Sequence, residues 1–556
     1  MRPVPARAAF LGAVFAALVT LPGLGNGTLW DNSETTYGEV AREILITHDW
    51  VVMHLNLQPW FVQPPLYFWV AALLAKLFGV APFAVRLPSA LATIVMGAAV
   101  GAATARIAGV RAGAVAAIVL STSLMQAVVG RLAIMDALLD LFVALAILWW
   151  FRAFEPSGPP ARRDAAFLWG CVALALGMLA KGPVAPVVAL LVVVPWLAWE
   201  RAAGAVAAPR PRALAGGALA FLAVALPWFA LLVARVGAHG IATLIGTYTV
   251  GRYTGVIENQ TGPVWYYVPV LILGFFPWIA FLPVAVRAAI REARDRDGAF
   301  ARLAFTWAIL PVVFFSFANT KLPNYVALMF PALAILVALW FERVAAGAER
   351  RAAIWSAAAI PIFVAALAIA IALFTRNNDL GSALRVLDPA LAGLAIAIVA
   401  GSAITVAVIA RPSSAAAAPA VLGVTMAVLM LVVAIVVEPV ADALKPVPPL
   451  AAAIDARRTP EDVVAIGDVS GAMALMFYTR PPVVSFTGPN QSYVSAICPF
   501  ADAWIVDRLS AAPALVRLAT SLQRTAAVVA TSPASRPSDA LIHVGGKPCP
   551  TDFDSR

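Results

Sequence analysis

The chain has 556 residues, 62% of them hydrophobic and 12% charged, about half the charge content of a typical soluble domain. Its mean hydropathy of +0.89 excludes a water-soluble globular protein, a disordered chain and a fibrous one. The net charge of +10, from 39 Lys and Arg against 29 Asp and Glu, is what Arg-rich cytoplasmic loops give a membrane protein. No compact basic run interleaved with aromatic residues points to nucleic acid.

A membrane-spanning helix needs about 20 mainly apolar residues. Runs near 8–25, 84–105, 110–129, 138–154, 166–181, 183–199, 213–235, 265–286, 301–318, 323–342, 352–374, 388–410 and 418–438 meet that need, which predicts about thirteen transmembrane helices. The first is read as an uncleaved helix rather than a signal peptide. The stretch 65–80 is short, opens on Pro-Pro and contains Lys76, so it is expected to lie at the membrane surface. With the N-terminus inside, Arg106, Arg111, Arg152, Arg162, Arg163, Arg201, Arg210, Arg287, Arg291, Arg302 and Arg343 fall in cytoplasmic segments, as the positive-inside rule asks. The opposite side then receives 26–83, 130–137, 181–183, 236–264, 319–325 and the C-terminal tail.

Pro446, Pro448 and Pro449 mark a linker that divides a membrane domain, 1–445, from a domain at 446–556. Strand-like runs at 462–469, 503–508, 526–531 and 540–544 alternate with helix-like ones, predicting a small extracytoplasmic α/β domain. The fold class is thus an all-α polytopic membrane protein with a C-terminal α/β domain. Of the three cysteines, Cys171 lies in an apolar run, while Cys498 and Cys549 sit in the tail and could pair if it faces an oxidising compartment.

The chemistry-bearing residues gather on the outer side. The loop at 26–83 carries Asp31, Glu34, Glu39 and Glu43, with Tyr37 and Arg42 among them. Glu39 and Glu43 share a helical face, either as part of a solvated amphipathic helix at the membrane surface or as members of a functional acidic cluster. Arg131, Asp136 and Asp140 stand where one span ends and the next begins; ionisable groups entering a bilayer helix are costly and therefore functional candidates. Lys181 and Lys321 each sit beside a proline at an outer mouth, and with Arg131 and Arg252 they suit an anionic lipid head group. Trp265, Tyr266 and Tyr267 open a span, as an aromatic belt or as a platform for a sugar ring. The set suits a lipid-linked anionic donor, with a carboxylate to deprotonate an acceptor hydroxyl and cations to stabilise a departing phosphate. A transporter or flippase of a lipid-linked or anionic substrate offers similar ingredients, although transporters usually hold such groups at mid-membrane.

The segments LWDNSETTYGEVAREI at 29–44, QPPLYFW at 63–69, RLPSAL at 86–91, MDALL at 135–139, AKGPV at 180–184, GPVWYYVPVL at 262–271 and FFSFANTKLPNYVALMFPALA at 314–334 occur together and in order. They resemble the ArnT-like aminoarabinose transferases and protein O-mannosyltransferases, a superfamily of C-type membrane glycosyltransferases, over roughly residues 8–345. The resemblance implies a multi-pass enzyme of the bacterial inner membrane with a periplasmic active site. Its donor is a polyprenyl-phosphate sugar and its acceptor a lipid, glycan or protein. No metal ligand set is implied, and a divalent cation is the one cofactor left open. Asp31, Glu34 and Asp136 are the implied catalytic acids. Arg131, Lys181, Arg252, Lys321 and Tyr325 would hold the donor phosphate; Tyr37, Gln63, Tyr67, Trp265, Tyr266 and Tyr267 would contact substrate. Two departures stand out. Ser33 occupies the usual Asp position, with Asp31 two residues earlier, and Phe61-Val62-Gln63-Pro64 replaces a Phe-Glu-Lys-Pro.

Overall fold

The computed structural model describes residues 4–30, 33–204, 206–295, 298–377, 387–442, 445, 447–459, 461–467, 472–479, 483–485, 501–521, 523–532 and 539–548. Asp31, Cys498 and Cys549 therefore lie outside the described residues.

Helix α1 (Val4–Thr20) leads into the first loop, which holds α2 (Glu34–Thr47), a two-residue hairpin of β1 (His54–Leu55) and β2 (Gln58–Pro59), and α3 (Leu66–Phe78). Then follow α4 (Pro82–Thr122), α5 (Leu124–Val129), α6 (Asp136–Phe154), α7 (Pro160–Lys181), α8 (Val184–Ala202) and α9 (Pro211–Val236). Ten described helices are at least 18 residues long and apolar enough to cross a membrane. The bent pair Val264–Gly274 and Trp278–Glu292 makes eleven if it counts as one span. Large aliphatic and aromatic side chains such as Leu219, Trp355, Ile369 and Ile396 point outward from these helices. Such a surface suits lipid and not water.

The 41 residues of α4 are two helices rather than one. Gly109 has φ 89°, a left-handed conformation that glycine adopts without a Cβ clash. In a straight helix Gly101 and Gly113 would stand about 18 Å apart, yet a Cβ on Gly101 would meet the Gly113 carbonyl at 3.2 Å. The segment folds back on itself as a hairpin with α1 packed along it, Ala8 and Gly12 facing Gly101 and Gly97. Small residues let membrane helices approach this closely. Taken as two arms, with α1 and the bent pair, these helices correspond to the thirteen apolar runs of the sequence. The stretch 65–80 is α3, only 13 residues long, with Tyr67, Phe68, Ala71 and Ala72 buried and Leu73, Leu77 and Phe78 exposed.

One end of the bundle collects the arginines expected to face the cytoplasm, and acids hold several of them. Arg106 meets Glu155 at 2.7 Å, Arg210 pairs with Asp164, and the buried Arg302 forms a two-pronged pair with Glu200.

The C-terminal residues form a five-stranded mixed sheet in the order β4-β3-β5-β7-β6. Its strands are β3 (Val463–Ile466), β4 (Val483–Ser485), β5 (Asp502–Arg508), β6 (Thr525–Thr531) and β7 (Asp539–Gly545). β3 runs parallel to β4 and β5, whereas β7 is antiparallel to both β5 and β6. Four of these match the expected strands, and the short β4 is new. The sheet region docks on α2 through helix Ala472–Tyr478, whose last carbonyls, those of Met476, Phe477 and Thr479, accept from the Arg42 guanidinium at 3.1–3.2 Å. Asn56, with φ 55°, exchanges two 2.8 Å hydrogen bonds with the Val483 backbone of β4. The Leu29 amide donates to the Tyr478 hydroxyl at 2.7 Å.

Candidate functional site

At the opposite end of the bundle from the paired arginines, the loops enclose a cavity of about 680 Å³. Its apolar wall includes Val128, Leu139, Val184, Val187, Leu244 and Leu328. Its polar wall is built by Asp136, Lys181, Arg252, Glu258, Gln260, Asn324 and Tyr325, with Ser33, Tyr37 and Gln63 from the first loop.

Helix geometry explains two of these positions. Asp136 is the first residue of α6 and Lys181 the last of α7, so each charge sits at the helix end whose dipole favours it. Gly182, at φ 73°, ends α7 directly after Lys181. The two side chains meet at 2.5 Å, and Asn324 Nδ2 donates to the same Asp136 oxygen, Oδ1, at 2.7 Å. Lys181 also lies 5.3 Å from the centre of the Tyr325 ring. Among the described residues both donors fall on Oδ1, which leaves Oδ2 to accept from a ligand.

The second cation comes from the helical segment Gly251–Thr254. Arg252 donates to Gln260 Oε1 at 3.1 Å and to both Glu258 oxygens at 3.3 Å. Burial works against its charge, but Tyr325 and Glu258 outweigh that and hold its pKa above the ordinary value. Tyr37 is packed edge-on against Trp60, Tyr67 and Phe68. Burial, and then the negative Asp136, raise its hydroxyl pKa, which keeps it a neutral donor.

Several sequence assignments change. Glu34 does not line the cavity: both its oxygens are taken by Arg86 at 2.9 and 2.8 Å, and it accepts from the Ala133 and Trp30 amides at 2.7 and 2.9 Å. With four donors and no exposure, it is saturated framework in this geometry. Arg131 holds the Thr20 and Pro22 carbonyls at 3.0 and 2.8 Å and faces Glu438 at 3.8 Å, away from the cavity. The buried Lys321 points its amine at the Ala318 carbonyl. Tyr67 donates to the Val85 carbonyl at 2.7 Å, and Trp265 is two-thirds exposed. Neither of these nor Tyr266 or Tyr267 reaches the cavity lining. Glu39 and Glu43, for which a solvated face is one reading of the sequence, are fully buried, and Glu43 accepts from the Leu57 amide at 2.9 Å. Glu39 pairs with Arg42 at 2.7 Å, and burial, only partly offset by Arg42, pushes its carboxyl up to about 8. Asp140, one turn below Asp136, is buried with no hydrogen-bond partner among the described residues.

The site residues that sequence reasoning passed over are Glu258, Gln260 and Asn324. Asn324 stands inside a quoted segment, directly before Tyr325, while Glu258 and Gln260 lie just ahead of the segment 262–271. Among the described residues no three His, Cys, Asp or Glu side chains converge as a metal site.

Residues 62–229 match the family described as dolichyl-phosphate-mannose-protein mannosyltransferase. The undecaprenyl phosphate-alpha-4-amino-4-deoxy-L-arabinose arabinosyl transferase of Erwinia tasmaniensis is 31% identical over 333 residues, 60% of this chain and 59% of that protein. A second such transferase, from Sodalis glossinidius, is 32% identical over 324 residues, 58% and 57% of the two chains. The match thus spans under two thirds of these relatives' length. The crystal structure of ArnT from Cupriavidus metallidurans bound to undecaprenyl phosphate superposes with a TM-score of 0.80 at 23% identity, over 96% of this chain and 97% of that one. In fold this protein is ArnT-like, and over part of its sequence it is similar to the undecaprenyl-phosphate arabinosyl transferases and to the dolichyl-phosphate-mannose-protein mannosyltransferase family.

Proposed function

We propose that this protein is a membrane glycosyltransferase that moves a sugar from a polyprenyl-phosphate donor to an acceptor presented at the cavity. The observation that carries the reading is the cavity itself, in which an apolar wall and two cations share one space. The apolar wall suits an isoprenoid chain, and Lys181 and Arg252 suit the phosphate. The printed names of the relatives, arabinosyl transferases using an undecaprenyl phosphate sugar, support the same class.

In this mechanism an acceptor oxygen attacks the anomeric carbon, the bond from that carbon to the phosphate oxygen breaks, and the electron pair leaves with polyprenyl phosphate. Lys181 and Arg252 stabilise the charge on the departing phosphate. Tyr325, beside both cations, orients it. Asp31, two residues before the lining residue Ser33, is the proposed base, and Asp136 holds Lys181 while its free Oδ2 orients the acceptor. The cavity is proposed to open on the periplasmic side of a bacterial inner membrane, with the C-terminal domain on the same side. The lipid, glycan or protein nature of the acceptor is the part to be found.

Mass spectrometry of glycolipids and glycoproteins, with and without the protein, tests the reading. A glycan that disappears with the wild-type gene and does not return with Asp136→Asn supports it. Substrate flux in proteoliposomes without any covalent product would instead establish a transporter.

A further inference from the structure

We propose that Glu258 is a built-in counter-anion that competes with the donor phosphate for Arg252 and so sets how tightly polyprenyl phosphate is held and how readily it leaves. The inference rests on the phosphate-binding reading given above.

The two cations of the cavity are neutralised differently. Lys181 and Asp136 meet at 2.5 Å with side chains 13% and 6% exposed. Arg252 and Glu258 meet at 3.3 Å, and although Arg252 is only 15% exposed, Glu258 is 54% exposed. A pair screened on one side in this way is weak, whereas a phosphate on a guanidinium gains short, charge-assisted hydrogen bonds. The Arg252 partner is therefore the exchangeable one.

The loop is built for that exchange. Glu258 and Asn259 take φ 56° and 57°, two successive left-handed residues that form a tight turn tip. Both ends of the turn are pinned to the segment after the Ala299–Ser316 helix. The Ile257 amide donates to Thr320 Oγ1 at 3.0 Å, Thr320 Oγ1 donates to the Gly255 carbonyl at 2.8 Å, and the Lys321 amide donates to the Gln260 carbonyl at 2.9 Å. The backbone stays in place while the Glu258 side chain, held by Arg252 and by Gln260 Nε2 at 3.1 Å, can rotate toward solvent. Gln260 keeps its own bond to Arg252 and marks where an incoming phosphate oxygen joins.

The chemistry gives the exchange a purpose. The donor is a phosphodiester with one negative charge, and the leaving polyprenyl phosphate is a monoester with about −1.5 to −2 at neutral pH. The product thus binds the cations more tightly than the donor, and a carboxylate returning to Arg252 helps to expel it.

The test uses the purified full-length protein in nanodiscs with undecaprenyl phosphate as the probe, comparing wild type, Glu258→Gln, Arg252→Gln and the double variant. Glu258→Gln should tighten undecaprenyl phosphate binding about two- to five-fold, strengthen product inhibition by the same factor and lower kcat. In the Arg252→Gln background the Glu258 substitution should change nothing. Equal or weaker binding by Glu258→Gln, or the same gain without Arg252, overturns the proposal and leaves the donor reading standing. If the wild-type protein does not bind undecaprenyl phosphate, both fall together.

Discussion

Two carboxylates at helix starts, Glu34 and Asp136, each face a cation at the same end of the bundle, and their surroundings differ in kind. Glu34 is sealed: four donors fill both of its oxygens, and Arg86 is spent on Glu34 and on the carbonyls of Leu24, Asn26 and Thr28. Asp136 is half-committed, with Lys181 and Asn324 on one oxygen and the other left to the cavity. Saturation makes a joint; incomplete saturation makes a site. Both acids stand at or near the start of a helix, so sequence position alone does not separate them.

The comparison can be broken experimentally. The largest expected effect is on turnover: Asp136→Asn, which loosens Lys181 and the acceptor, should lower transfer by about 10²-fold or more while gel filtration shows the usual folded peak. Next is Arg86→Ala, which leaves Glu34 buried and unpaired and should cost about 3–5 kcal/mol of stability, read as lost folded protein before any kinetic change. A Glu34→Gln protein that folds and melts normally yet is inactive would reverse the two roles. Asn324→Ala removes one hydrogen bond to a charged group, about 1.5–3 kcal/mol. It should reduce kcat roughly ten-fold or more and lower the melting temperature by only a few degrees.

The smallest effect concerns Glu39. Its folded-state pKa of about 8 lies above the model-peptide value of 4.5, so the folded form holds the proton more tightly. The associated stability is present below pH 4.5 and is lost as pH rises through 8. Glu39→Gln should flatten that pH dependence of the melting temperature, by a few degrees at most. An identical slope in the variant would show that the carboxyl is not the titrating group.

Much of the architecture was legible from the chain because apolar length is a local property. The runs at 84–105 and 110–129 anticipated the α4 hairpin, including its break at Gly109. Asp136, Lys181 and Arg252 stood out because charge is scarce in lipid, and Tyr325, Tyr37 and Gln63 were singled out by the family resemblance; all six line the cavity. What stayed hidden was pairing across distance. Arg86 and Glu34 are 52 residues apart, and nothing in their neighbourhoods says that one cancels the other. The same blindness made Arg131 and Lys321 look like phosphate ligands, when both satisfy helix-end carbonyls. The burial of Glu39 was hidden because its partner Arg42 is held by carbonyls more than 400 positions later, and that of Glu43 because the Leu57 amide reaches it from the hairpin.

The docking of the C-terminal sheet region has an evolutionary consequence. Arg42 grips carbonyls at the end of helix Ala472–Tyr478, and Asn56 completes the edge of β4 as though it were one more strand residue. Both contacts read main chain. Apart from Tyr478, whose hydroxyl takes the Leu29 amide, and Phe477, whose ring lies under Arg42 and against Gly38, side chains of the tail can therefore diversify while the attachment to α2 persists, provided the path of the backbone is kept. The membrane body carries the grammar of the joint, and the tail is left free to change its vocabulary.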